Sequence, residues 1–309
     1  MIEKYCEGRY LRTYFDIFRC MILFGAKAND YFDYRFYNHS DYKKSTFLVW
    51  RSACKVWSET SREALLITGD KSRFLTEFKD LTKRRFVNTT CDSYDVFSDF
   101  VKKEKRVFIK PLWMCEGAGA EVYEYSDDVD LKKKYDETKA SPDGGMLVEE
   151  LIVQHPEMAV LSKRSVNTIR VATYYHNNKV HIIGCDIRMG GDGVADNFHA
   201  GGSCAAIDSE TGIVTTKAYR GDGEESIFAF GTDVIILGFR IPHWDKVLEM
   251  ANEAANRLPD GKFCGWDIAI RQDDVILVEG NSGDVGYDNI QINDLVGKWK
   301  VIKDIKKNH

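Results

Sequence analysis

The chain has 309 residues, 44% of them hydrophobic and 29% charged, with only 5 prolines, which suits a large folded core and excludes extensive disorder. Its formal net charge of -5 argues against a general nucleic-acid binder, which would carry a basic surplus. The eight cysteines are dispersed with no Cys-x-x-Cys and no Cys/His cluster, so neither a disulfide framework nor a zinc site is expected; they read as reduced thiols in a cytoplasmic protein.

No leader is expected at the start, because Glu3, Lys4, Glu7, Arg9, Arg12 and Asp16 interrupt it, and no apolar run approaches a membrane span. Residues 1–70 read as a helical region. Tyr10, Leu11, Tyr14, Phe15, Phe18, Met21 and Ile22 recur at three- and four-residue steps and form one aromatic-rich stripe. The dense block Asp30 to Tyr37 fits packing onto the main domain or a substrate-facing role, and a membrane-surface helix is a third option. Helix is expected to continue over 47–66 and to break at Gly69. Lys71 to Phe86 is amphipathic through Phe74, Phe78 and Leu81.

Beyond it the pattern changes to short strands between glycine turns: 106–110, 119–125, 146–153, 168–175, 179–188, 203–207, 263–270 and 275–279. One helix is predicted among them, from Trp244 to Leu258. Strands with interspersed helices mean an α+β or mixed α/β protein. The sequence holds no internal repeat.

Three stretches carry chemistry. Phe263 to Ile270 and Val275 to Asn281 flank a polar turn and read as an antiparallel hairpin. Glu279 and Asn281 share a strand face, and Asp267 lies opposite them. Carboxylates gathered on an apolar sheet need a partner, and a hard cation such as Mg²⁺ takes oxygen ligands of this kind; two unrelated acids on a solvated face are the alternative. The second stretch, Arg106 to Pro111, ends a strand in Lys110 and leads into Cys115-Glu116-Gly117-Ala118-Gly119-Ala120. Such a unit can set an ammonium against phosphate under a glycine loop, although the glycines alone fit a plain hairpin turn. It is not a Walker A loop, since no Gly-Lys-Ser/Thr opens a helix. The third stretch runs from Gly145 through Val148-Glu149-Glu150-Leu151-Ile152 to Pro156-Glu157. Its extended backbone can meet a purine edge, or simply carry a strand to the surface.

In this order, with Lys71 ahead of them, the segments resemble the ATP-grasp superfamily over about residues 71–285. Ser165-Val166-Asn167-Thr168-Ile169-Arg170-Val171, Asp186-Ile187-Arg188-Met189-Gly190, Asp196-Asn197 with Gly201-Gly202, and Gly265-Trp266-Asp267 are similar to its sugar-transfer-associated group, found among cell-surface polysaccharide genes. The resemblance implies an ATP-grasp fold of two α+β subdomains gripping ATP, here at 71–309 with a lid at about 107–150, behind the N-terminal helical region. It implies that Lys71 and Lys110 hold the α- and β-phosphates. Glu149 or Glu150, with the backbone of Leu151 and Ile152, would frame the adenine, and Glu157 would take the ribose. Asp267, Glu279 and Asn281 would ligate two Mg²⁺, or Mn²⁺ in their place. Arg170 and Arg188 are the catalytic candidates, and His199-Ala200-Gly201-Gly202-Ser203 supplies backbone donors or forms a glycine hairpin. The implied activity is an ATP-dependent carboxylate–amine ligase working through an acyl phosphate, on small-molecule substrates that include sugar-linked ones. The alternative is a phosphotransferase acting on a hydroxyl. Neither reading involves nucleic acid.

Overall fold

Apolar alternation in the strand-rich part of the chain resolves into two antiparallel sheets. The computed structural model describes residues 10–113, 119–142, 144–162, 164–191, 198, 201–283 and 285–307. The smaller sheet has the order β1-β4-β2-β3, from β1 (Phe86–Asn88), β2 (Arg106–Pro111), β3 (Glu121–Glu124) and β4 (Met146–Glu150). The larger has the order β11-β10-β5-β6-β7-β8-β9. Its strands are β5 (Thr168–His176), β6 (Lys179–Met189), β7 (Ser203–Ile207), β8 (Ala218–Arg220), β9 (Glu225–Ser226), β10 (Phe263–Ile270) and β11 (Val275–Ser282).

Every residue of β10 is buried, which is why it reads as a near-continuous apolar run. Its two faces serve different cores. Cys264, Trp266, Ile268 and Ile270 pack with Val247, Ala251 and Ala254 of the helix Trp244–Arg257. Phe263 joins Ala172, Tyr174 and Ile183 beneath the helices Trp50–Trp57 and Lys298–Lys307. Gly265 and Asp267 belong to this second face by alternation, so a carboxylate sits within an otherwise apolar wall.

The smaller sheet is backed by two helices that sequence periodicity did not reveal, Tyr94–Glu104 and Leu131–Lys139. They bury Phe97, Val101, Leu131 and Tyr135 against Val107, Ile109 and Val148. Ser93 and Asp130 cap them, accepting from the backbone N–H of Val96 and Lys133.

The N-terminal part differs from expectation in one place. Helix does not run unbroken over 47–66: it splits into Trp50–Trp57 and Arg62–Gly69, the second capped by Ser61. Gly69 ends that helix from within, and Asp70 starts the next one, Lys71–Glu77, by accepting from the N–H groups of Ser72 (2.9 Å) and Arg73 (3.1 Å). The aromatic block at 30–37 is core: Tyr31, Tyr34 and Phe36 are buried, and Tyr34 stacks on Phe47 at 4.9 Å. No helix among the described residues is long and apolar enough to cross a membrane.

Candidate active site

Strand register aligns four charged residues across the larger sheet. Glu279 on β11 pairs with Asp267 on β10, which pairs with Arg170 on β5, which pairs with Asp186 on β6. Asn281 stands opposite Gly265, one pleat along the same face as Asp267. Asp267 is almost fully buried. Arg170 grips it with both arms of the fork, Nε to Oδ1 at 2.6 Å and Nη2 to Oδ2 at 2.8 Å, and Arg188 adds Nη1 to Oδ2 at 3.1 Å. Burial alone would raise this carboxyl, but the guanidiniums of Arg170 and Arg188 outweigh it and hold Asp267 below the usual carboxylate range. Arg170 reaches this position because Gly265 has no side chain: a Cβ there would lie 2.9 Å from Arg170 Cδ. Its remaining arm donates to the Val285 carbonyl at 2.6 Å.

Asp267 and Glu279 also meet side chain to side chain at hydrogen-bonding distance. The Asn281 amide donates to Glu279 Oε1 at 3.3 Å. Two carboxyls in contact require a shared proton or a cation between them. Two carboxylates and an amide are an all-oxygen donor set, as Mg²⁺ prefers. Among the described residues no cluster of three or more His, Cys, Asp or Glu could hold a metal ion.

A second charge cluster forms in the smaller sheet. Glu149 on β4 is buried and pairs with Lys110 on β2, Nζ to Oε1 at 2.6 Å, and with Arg84. Burial would raise the Glu149 carboxyl, and the charges of Arg84 and Lys110 override that and lower it. Arg84 then crosses to the larger sheet, donating Nη2 to the carbonyl of Val278 at 2.8 Å, next to Glu279. The carboxylate of Glu149 is thus engaged by cations. Glu150 reaches the surface and pairs with Arg85, Nε to Oε1 at 2.6 Å. Lys71 opens its helix and donates to the Leu112 carbonyl at 3.2 Å, on the segment that follows β2.

Leu151 and Ile152 are half-buried just past β4, and Glu157 is exposed at the start of the short helix Pro156–Ala159. Cys115 to Ala118 and His199 and Ala200 lie outside the described residues. Gly119, at the end of the glycine run, has φ +71°.

Two charged neighbours of these residues escaped the sequence reading. Arg84 stands in the run Lys83-Arg84-Arg85, which resembles an exposed basic turn. Asp186 lay inside a quoted motif without an assigned role. It is completely buried, its oxygens find no hydrogen-bond donor among the described residues, and burial pushes it up to about 7 against the opposing charges of Arg188 and Arg170.

Comparison with known proteins completes the picture. The family described as sugar-transfer-associated ATP-grasp matches residues 125–307. Among solved structures the fold is similar to the ATP-grasp ligase PsnB complexed with minimal precursor (15% identity, TM-score 0.46), with 80% of this chain and 62% of that one covered. It is also similar to D-alanine–D-alanine ligase from Bacillus anthracis (11% identity, TM-score 0.46, 83% and 74% covered). A third is carboxyaminoimidazole ribonucleotide synthase from Aspergillus clavatus complexed with ATP (14% identity, TM-score 0.47, 75% and 50% covered). This chain therefore spans less than two thirds of the length of PsnB. No curated protein matches the chain significantly.

Proposed function

Because this chain belongs to the sugar-transfer-associated ATP-grasp family, we propose that it is an ATP-dependent ligase that joins a carboxylate to an amine, with a sugar-linked substrate in glycan-precursor synthesis. The observation that carries this reading is the Arg84 bridge. It binds Glu149, which also holds Lys110, and it binds the carbonyl beside Glu279, so a basic and an acidic cluster are tied together across two sheets. A nucleotide's triphosphate needs both: ammonium groups for its oxygens, and carboxylates that recruit divalent cations.

In this reading the smaller sheet is the lid, and Lys110 and Lys71 meet the α- and β-phosphates. Leu151 and Ile152 offer backbone groups to the adenine, with Glu157 near the ribose. Asp267, Glu279 and Asn281 hold Mg²⁺, which when bound neutralises triphosphate charge. The substrate carboxylate oxygen attacks the γ-phosphorus, the bond to the β-phosphate oxygen breaks, and ADP leaves. The amine nitrogen then attacks the acyl carbon, loses its proton, and phosphate departs. Arg170 and Arg188 stand beside the metal-binding face, where their charge offsets that of the transferring phosphoryl group and the tetrahedral oxyanion, worth roughly 3 kcal/mol per donor.

The test is ADP release from MgATP across a panel of sugar acids and amines, with hydroxylamine present in parallel. A substrate-dependent hydroxamate supports the acyl phosphate. ADP release without any hydroxamate, accompanied by a phosphorylated acceptor, would replace the ligase with a kinase.

A further inference from the structure

The helix Tyr10–Phe24 packs Ile17, Cys20 and Phe24 inward and still turns an apolar stripe outward. Two of its charged residues are spent on the protein: Asp16 accepts from the Tyr31 hydroxyl at 2.9 Å and pairs with Lys44 at 3.4 Å, and Arg19 pairs with Asp41. Cys20 is its buried residue, while Leu11 is 88% and Phe15 70% exposed, with Tyr14, Phe18 and Ile22 continuing the stripe outward. A helix of a soluble domain normally shows the opposite arrangement. At its C-terminal end, Leu23 belongs at once to this exposed surface and to the wall of a cleft of about 250 Å³. Lys44, Arg51, Lys55 and Lys303 also line that cleft, and no carboxylate does. Arg51 is fixed there, donating to the Met21 and Ile22 carbonyls at 3.0 Å each.

We propose that this face docks on an anionic phospholipid surface, with the helix lying in the interface and the cleft receiving a headgroup phosphate. Each half of the surface matches one layer of a bilayer: the stripe suits the acyl boundary, and the cations suit the phosphate level just above it. A second copy of the chain is the poorer occupant. A two-fold contact through the stripe would bring the clefts of both copies, neither lined by an acid, to the same interface.

The test is flotation of the full chain with vesicles of phosphatidylcholine alone and of phosphatidylcholine mixed with phosphatidylglycerol. Binding should be stronger to the mixed vesicles and should fall as salt rises. The double variant L11S/F15S changes only exposed side chains, so it should melt as the parent does while its binding to both vesicles drops at least about tenfold. The double variant K55Q/K303Q should lose about tenfold on the mixed vesicles and keep the weaker binding to phosphatidylcholine. Flotation with neither vesicle overturns the proposal. So does a dimer in light scattering that L11S/F15S dissociates, which would assign the stripe to a second copy.

Discussion

Asp267 and Glu279 are neighbours with opposite structural obligations. Asp267 is buried and answers two guanidiniums, so Asp267→Asn should cost about 3–5 kcal/mol of stability as well as activity, read as a fall in the urea midpoint. Glu279 is half-buried and makes no ion pair with a basic residue among the described residues. Glu279→Gln should therefore stay within about 0.5 kcal/mol of the parent in the same unfolding experiment. Its substrate-dependent ADP release should nonetheless fall on the order of 100-fold, as for loss of a metal-supporting group. Normal turnover in that variant would remove Glu279 from the cation site. Lys110→Ala should lose both activity and some stability, since it leaves Glu149 buried with Arg84 alone. These acids were legible in the sequence because a polar residue stands out inside an apolar strand. Arg84 was not, because a basic run before a strand looks the same whether it is solvated or bridges two sheets.

At the scale of elements, the hairpin β10–β11 was read to within a few residues because burial on both faces leaves an unmistakable apolar run. Its second arm runs one residue past the expected Val275 to Asn281, ending at Ser282. Gly280, Asn281 and Ser282 pair with Trp266, Gly265 and Cys264. Gly280 has a packing reason to be there: an added Cβ would lie 2.7 Å from the Trp266 ring and 2.9 Å from Phe74. Gly280→Ala should accordingly destabilise by about 1–3 kcal/mol, measured by thermal unfolding. The missed helices show the reverse problem. In Leu131–Lys139 the buried face is Leu131, Tyr135 and Thr138, too little apolar surface to register against four lysines. β1 is three residues long and follows two arginines, so no alternation could be seen.

For the molecule as a whole, two acids titrate far from their usual range. Asp33 and Asp186 are each pushed up to about 7 by burial, Asp33 further by Asp288 and Asp30. A free aspartate has a pKa of about 3.9. Between about pH 4 and 7 the unfolded chain has already released protons that the folded chain keeps, so stability falls as pH rises through that window. The depressed acids Asp267 and Glu149 act in the opposite direction, below about pH 4, where protonating them removes their ion pairs. Melting temperature should thus decline from about pH 5 to about pH 8. Asp33→Asn should flatten part of that slope, and an unchanged slope would place the titration elsewhere. Arg84 sets a different kind of constraint. On the larger sheet it grasps peptide oxygens rather than side chains, so those contacts do not depend on which side chains stand at 277 and 278. On the smaller sheet it depends on a single carboxylate, that of Glu149. Any swinging apart of the two sheets must first unfasten those peptide contacts, which makes one arginine the latch of the jaw.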